Sequence, residues 1–233
     1  MGLFDERVAY KPFDYPEYYT EGWLKQAQAF WLHTEISMQS DIKDWSEKLT
    51  PEEKNLVGNI LLGFAQTECA VSDYWTQKVV GWFPKHEIKQ MAMMFGSQET
   101  VHAVAYSYLN ETLKLEDYEA FLHEPATADR DESLHSKMGC QLFKHMCEED
   151  ETLLTECRED IIKAAETMVE LEEKYIDKMF EMGDIEGIKS YDLKQFIKKR
   201  TNEKLNELGY LDLGSYFAYD VKAAANLDWF YHL

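Results

Sequence analysis

Two four-residue words constrain this chain more than any other feature: Glu99-Thr-Val-His102 and Glu132-Ser-Leu-His135. Positions i and i+3 of a helix lie on one face, so each word aims a carboxylate and an imidazole the same way. Two such helices packed face to face can hold a pair of metal ions between them. The chain has 7 His and many Glu, so chance alone supplies roughly one such word. The competing reading is a solvated Glu face with a His nearby. Which face of each helix the words occupy decides between the two.

Both words fall on apolar faces. In a helix over about 84–113, Ile88, Ala92, Phe95, Leu109 and Leu113 form one stripe at steps of three and four. Glu99, His102 and Tyr106 occupy the positions that this stripe leaves open. Three polar residues in succession on a buried face are costly without partners. A metal ion would neutralise the carboxylate and use the imidazole lone pair. In the preceding helix Leu61, Phe64, Val71 and Trp75 define the apolar face, and Glu68 lies four residues after Phe64. From that helix alone a metal and a buried ion pair are equally good partners for Glu68. In a later helix His135, Met138, Leu142 and Met146 share a face, with Glu132 one turn before His135. Carboxylates with imidazole, and no thiolate nearby in sequence, favour iron or manganese over structural zinc. Tyr106 extends the same stripe one turn beyond His102. It reads either as a core tyrosine with a satisfied hydroxyl or as a redox-active one beside the metal.

The rest of the chain is helical in pattern. Residues 1–17 are aromatic and contain Pro12 and Pro16, suiting an arm laid over a helical body. A first helix is expected from about Glu17 to Ser37. Thr50, Pro51 and Glu53 make a capping box that opens a helix to about Val80. The segment 114–130 is mixed. Helices are expected after it over about 131–148, 151–182 and 191–208. No β-alternation is sustained, so the class is all-α.

Composition excludes some functions. The chain has 233 residues and a formal net charge of -20, so neither nucleic acid nor an anionic membrane surface is an expected partner. No stretch approaches a membrane span, and no signal peptide is evident at the N-terminus. Cys69, Cys140, Cys147 and Cys157 form no CxxC word and read as reduced, mostly buried thiols of a cytoplasmic protein.

These motifs resemble, in order, those of the small, radical-generating subunit of class I ribonucleotide reductase. They read Trp31-Leu-His-Thr-Glu35, then Glu68, then Ser97-Gln-Glu99-Thr-Val-His102-Ala-Val-Ala-Tyr106, then Arg130-Asp131-Glu132-Ser-Leu-His135. The resemblance implies a single domain with the ferritin-like helical bundle and a dinuclear iron or manganese centre. Glu68, Glu99 and His102 would bind one side of the metal pair, and Glu132 and His135 the other. Tyr106 stands at the radical tyrosine's position, and Trp31 and Asp131 at the radical-transfer positions. The implied partners are a large catalytic subunit, which reduces ribonucleotides, and a second copy of the chain. No nucleotide site is expected here. Position 68 is more often Asp in this family, which leaves iron and manganese both open.

Two departures from the family pattern stand out. Only 25 residues separate Tyr106 from Glu132, where the family has two more helices, one of them carrying a further carboxylate ligand. Glu119 and Glu124, in the mixed segment, are poor substitutes. The chain also ends at Leu233 without the family's flexible tail. The expectation is an absent internal piece of roughly 60 residues, joined near 128–130. Two other functions compete. A stand-alone di-metal oxidase of the same architecture would need neither Trp31 nor the Arg130-Asp131-Glu132 word. A metal-storage bundle would leave Tyr106 unexplained.

Overall fold

The first long helix of the body begins where the capping box places it. In the computed structural model, which describes residues 2–115 and 133–229 (by backbone alone at 133–136), Glu53 N–H donates to Thr50 Oγ1 at 3.2 Å. Thr50 N–H donates in return to Glu53 Oε2 at 2.8 Å. Two helices precede it, α1 (Leu24–Gln28) and α2 (Gln39–Glu47), and the capped helix is α3 (Pro51–Asp73). A π-helical turn, Tyr74–Val79, and a short turn, Val80–Trp82, extend α3. Then come α4 (His86–Leu113), α5 (Ser133–Glu149), α6 (Arg158–Met179), α7 (Ser190–Glu207) and α8 (Val221–Ala225). Among the described residues there is no strand, only an isolated bridge between Ile185 and Ile188. The all-α class expected from the sequence is the class observed.

Side-chain bonds to backbone carbonyls tie the long helices together in antiparallel pairs. Between α3 and α4, Asn110 Nδ2 donates to the Leu61 carbonyl at 3.3 Å and Ser72 Oγ to the Gly96 carbonyl at 2.9 Å. Between α3 and α6, Asn55 Nδ2 donates to the Met179 carbonyl at 2.9 Å and Tyr175 Oη to the Asn59 carbonyl at 2.7 Å. Gly96 permits the close approach of α3 and α4. A Cβ there would stand 2.4 Å from Thr76 Cγ2 and 3.2 Å from the Ser72 carbonyl oxygen.

Two apolar clusters form the core. One joins Leu3, Tyr18, Trp75, Ile88, Met91, Phe95, Met138 and Leu142 with their neighbours. The other joins Leu56 of α3 to Tyr175, Ile176 and Met179 of α6 and to Phe180. Each large apolar side chain fully buried in this way contributes about 1.5–3 kcal/mol relative to exposure. Glu68 lies on α3 between Leu56 of one cluster and Trp75 of the other. The N-terminal arm is pinned over the body as expected. The buried Lys85 Nζ pairs with Asp14 at 2.9 Å, and Glu87 Oε1 accepts the backbone N–H groups of Asp14 and Tyr15 at 2.9 and 3.0 Å.

Three features differ from the sequence expectation. The first helix does not reach Ser37. A π-helical turn over Tyr18–Trp23 leads into α1, which ends at Gln28, and Leu32 is extended at φ -120°, ψ 145°. Phe30, Trp31 and Leu32 are three bulky residues in a row, which one helix face cannot bury together. The break instead turns Trp31 toward α4, leaving Phe30 and Leu32 exposed. The thiols are not mostly buried: Cys140 is, Cys147 and Cys157 are half-buried, and Cys69 is exposed. Cys69 follows the inward-facing Glu68, so the 100° step of the helix turns it outward. Helices α2 and α8 were not expected. Asp220 caps α8 by accepting from the N–H groups of Lys222 and Ala223 at 2.9 and 3.1 Å.

Candidate metal centre

Helices α3 and α4 bring three of the predicted ligands to one buried point. Glu68 comes from α3, and Glu99 and His102 come from successive turns of α4. Each offers a donor atom within 4.8 Å of the others. Glu99 is fully buried and Glu68 nearly so, while the His102 side chain is 12% exposed. His102 Nδ1 lies 3.1 Å from Glu99 Oε2 and 3.8 Å from Glu68 Oε2. Two carboxylates held this close inside a protein need a cation or a proton between them.

Gln98 tests whether this group suits a metal. It is fully buried, and its Nε2 lies 3.2 Å from His102 Nε2. As an amide donor it leaves Nε2 to accept, which puts the imidazole proton on Nδ1, facing Glu99. The Gln98 Oε1 atom is buried with no hydrogen-bond partner among the described residues. A half-turn of the amide would place Oε1 against a protonated Nε2 and free the Nδ1 lone pair for a metal. The donor set and this unmatched oxygen both fit an ion bound by Glu68, Glu99 and His102. Gln98 was not singled out by sequence reasoning. Its one signal is its position a turn before His102 on the same face.

The remaining predicted residues divide into two groups. The Trp31 ring stacks on the His102 imidazole at 5.9 Å between centroids and 25° between planes. Tyr106, half-buried one turn past His102, lies 5.1 Å from the Phe64 ring of α3. Asp131, Glu132 and the side chain of His135 lie outside the described residues. The α5 backbone carrying position 135 runs on to Met138, which is fully buried in the core beside Phe95.

The profile of the family described as "Ribonucleotide reductase, small chain" matches residues 7–128 and 126–213. The chain belongs to the ribonucleotide reductase small-chain family. A probable ribonucleoside-diphosphate reductase small subunit of Invertebrate iridescent virus 3 is 27% identical over 293 residues, 91% of this chain and 77% of that one. Its counterpart in Invertebrate iridescent virus 6 is 36% identical over 124 residues, 52% of this chain but 34% of the relative. Among solved structures, the dimanganese(II)-NrdF of Streptococcus sanguinis matches with a TM-score of 0.70 at 18% identity, over 88% of this chain and 93% of that one. At such identity the likeness is one of fold, and that fold is the ferritin-like bundle of ribonucleotide reductase small subunits. Among the described residues no helix is long and apolar enough to cross a membrane.

Proposed function

We propose that this small-chain family member is the radical-generating subunit of a two-subunit class I ribonucleotide reductase. The observation that carries the reading is the buried Glu68, Glu99 and His102 group with Trp31 stacked on its imidazole. Glu68, Glu99 and His102 would hold one ion of a pair, and Glu132 and His135 the other. When bound, an iron or manganese pair supplies a one-electron oxidising equivalent drawn from oxygen or a reduced oxygen species. The protein's own residues exclude water, orient the ligands and hold the oxidised site. Burial of Glu99 and Glu68 keeps bulk water from competing for the carboxylate oxygens that a cation would bind, and the cation would offset the cost of burying their charge. Gln98 orients His102. Tyr106 would store the equivalent as a phenoxyl radical after losing an electron and its phenolic proton. Trp31, in contact with His102, would pass the hole outward with Asp131. A separate large subunit would reduce the ribonucleotide. A cytoplasmic homodimer belongs to the same proposal and rests on family membership.

The absent internal segment is part of this reading. The family profile matches in two stretches that meet at residues 126–128. The alignment with the virus 3 relative runs to 293 positions, more than this chain contains. Both support a natural chain longer than the one printed, with the missing carboxylate ligand in the added part. The join lies outside the described residues. An intact mass of 27.4 kDa for the protein purified from its native source would overturn this part of the proposal.

The central test is Tyr106→Phe. The variant should bind metal as the native protein does, yet lose ribonucleotide reduction with the large subunit. Full activity would move the essential oxidant elsewhere. Activity on a small substrate without any large subunit would support the stand-alone oxidase instead. The short spacing between Tyr106 and Glu132 is the observation that keeps this second reading in play.

A further inference from the structure

Outside the metal site, a second grouping of polar side chains lies at the junction of the N-terminal arm with α5. Tyr18 is fully buried in the same core cluster as Phe95 and Met138. Its hydroxyl meets His145 Nδ1 at 2.6 Å, with the two rings nearly perpendicular at 85°. The other imidazole nitrogen, Nε2, lies 3.6 Å from Glu17 Oε1. The Tyr15 ring lies 5.2 Å from the same imidazole, tilted at 41° to it, and its hydroxyl donates to Glu149 Oε1 at 2.6 Å. Burial, ahead of nearby carboxylates, pushes both phenols well above their ordinary ionisation range. His145 opens on its outer side to a pocket of about 300 Å³ lined also by Lys137, Gln141, Lys144, Glu148 and Glu207.

This is the arrangement that one-electron oxidation of a phenol requires. A tyrosine in a low-dielectric site cannot lose an electron alone, because a buried phenol cation is too costly. It can do so if the proton leaves at the same time along a short hydrogen bond to a base. Neutral imidazole is such a base, and Glu17 stabilises the imidazolium that results. Phe95 lies four residues before Glu99, about 6 Å along α4, and Met138 three residues after His135. The Tyr18 cluster therefore begins about one helical turn from the metal-facing positions.

We propose that Tyr18 and His145 form a second proton-coupled redox site, separate from Tyr106 and Trp31, that accepts oxidising equivalents from the metal side of the bundle. The proposal rests on the reading of the metal site given above. In the forward step Tyr18 gives one electron to the Tyr106 phenoxyl radical and its phenolic proton to His145 Nδ1. Tyr106 becomes a phenol again by taking a proton from solvent. Tyr18 becomes a neutral phenoxyl radical beside an imidazolium. The site would draw stray equivalents toward the arm, away from Trp31.

The test uses the full-length, metal-free protein, with a flash-generated ruthenium(III) tris-bipyridine oxidant in place of Tyr106. Tyrosyl radicals are followed by time-resolved electron paramagnetic resonance. The expected result is a fast-forming tyrosyl component that is kept in Tyr106→Phe and lost in Tyr18→Phe. It should slow in His145→Ala and recover with added imidazole, which a merely structural role for His145 would not produce. Should Tyr18→Phe fail to fold, 3,5-difluorotyrosine introduced at position 18 keeps the hydroxyl and adds fluorine splitting to the same component. A fast component without that splitting, or one indifferent to His145→Ala, overturns the proposal. Because no metal is present, this outcome is independent of the Tyr106→Phe test of the metal site.

Discussion

The buried amide of Gln98 meets the imidazole of His102 at 3.2 Å, and its carbonyl oxygen has no partner among the described residues. The pair sets which imidazole nitrogen carries the proton, and therefore which can bind a cation. Removing such an orienting partner typically weakens metal binding by about 10–100-fold. Gln98→Met, close in size and without the amide, should lower manganese(II) affinity by that order and leave the helical content unchanged. Isothermal titration with circular dichroism of the same samples checks both, and an unchanged affinity would remove Gln98 from the site.

Glu99 and Glu68 share one imidazole, so metal binding should couple to stability. A cation at about a hundred times its dissociation constant adds about 2.7 kcal/mol to the folded state. For a domain of this length that raises the melting temperature by roughly 5–10 °C. Glu99→Gln should abolish the rise while leaving the metal-free protein no less stable, because it removes one of two converging charges. Thermal melts with and without manganese(II) decide it. A variant that still shows the full rise would place the ion elsewhere.

Trp31 contacts His102 through ring stacking and supplies no ligand atom. On the function proposed above, Trp31→Phe should therefore retain metal content and the radical assigned there to Tyr106 but lose ribonucleotide reduction by about tenfold or more, equivalent to at least 1.4 kcal/mol in the barrier. Parallel loss of metal and activity would make Trp31 a structural wall of the site and nothing more.

Gly96 sits where α3 and α4 come closest, just before Ser97 and Gln98. A methyl group there meets the Thr76 side chain and the Ser72 carbonyl oxygen. Overpacking of this kind costs about 1–3 kcal/mol. Gly96→Ala should lower stability by that amount in chemical denaturation and weaken metal binding by moving Glu99 away from Glu68. Gly139→Ala, at a helical glycine with open space around its Cβ position, is the matched control and should do neither.

The arm's attachment should depend on pH. The Lys85 ammonium, and after it the Arg7 guanidinium, hold the Asp14 carboxyl below the usual carboxylate range. A group whose ionisation is depressed in the folded state stabilises that state above its unfolded value of about 3.9 and loses the effect as pH falls through the folded one. Hydrogen exchange at the Asp14 and Tyr15 amides, corrected for intrinsic rates, should stay slow down to about pH 4 and accelerate below it. Asp14→Asn should show the accelerated exchange already at neutral pH. Equal protection in both proteins would mean that Glu87 alone holds the arm.

Much of the site was legible one helix at a time. The stripe of Ile88, Ala92 and Phe95 predicted that Glu99 faces inward, and Glu99 is fully buried. Phe64 and Trp75 did the same for Glu68. The capping box at Thr50 set where α3 starts. These are local effects, and local periodicity reports them. The end of α1 is not legible locally, because the run from Ala29 to Ile36 has no propensity strong enough to stop a helix. Its break depends on Trp31 finding His102, 71 residues away in the chain.

The sequence by itself determined the class, the inward faces of α3 and α4, and the order of the motifs that mark the small-chain family. It did so because helical periodicity is written in residues three and four apart. Only the tertiary structure decided that Glu68, Glu99 and His102 meet within 4.8 Å, that Gln98 contacts His102 Nε2, and that Tyr18 is hydrogen-bonded to His145. Each of these depends on how far apart two helices, or the arm and a helix, come to lie. That distance is set by what the small residues at the contact permit, as at Gly96, where a single added carbon would push α3 and α4 apart.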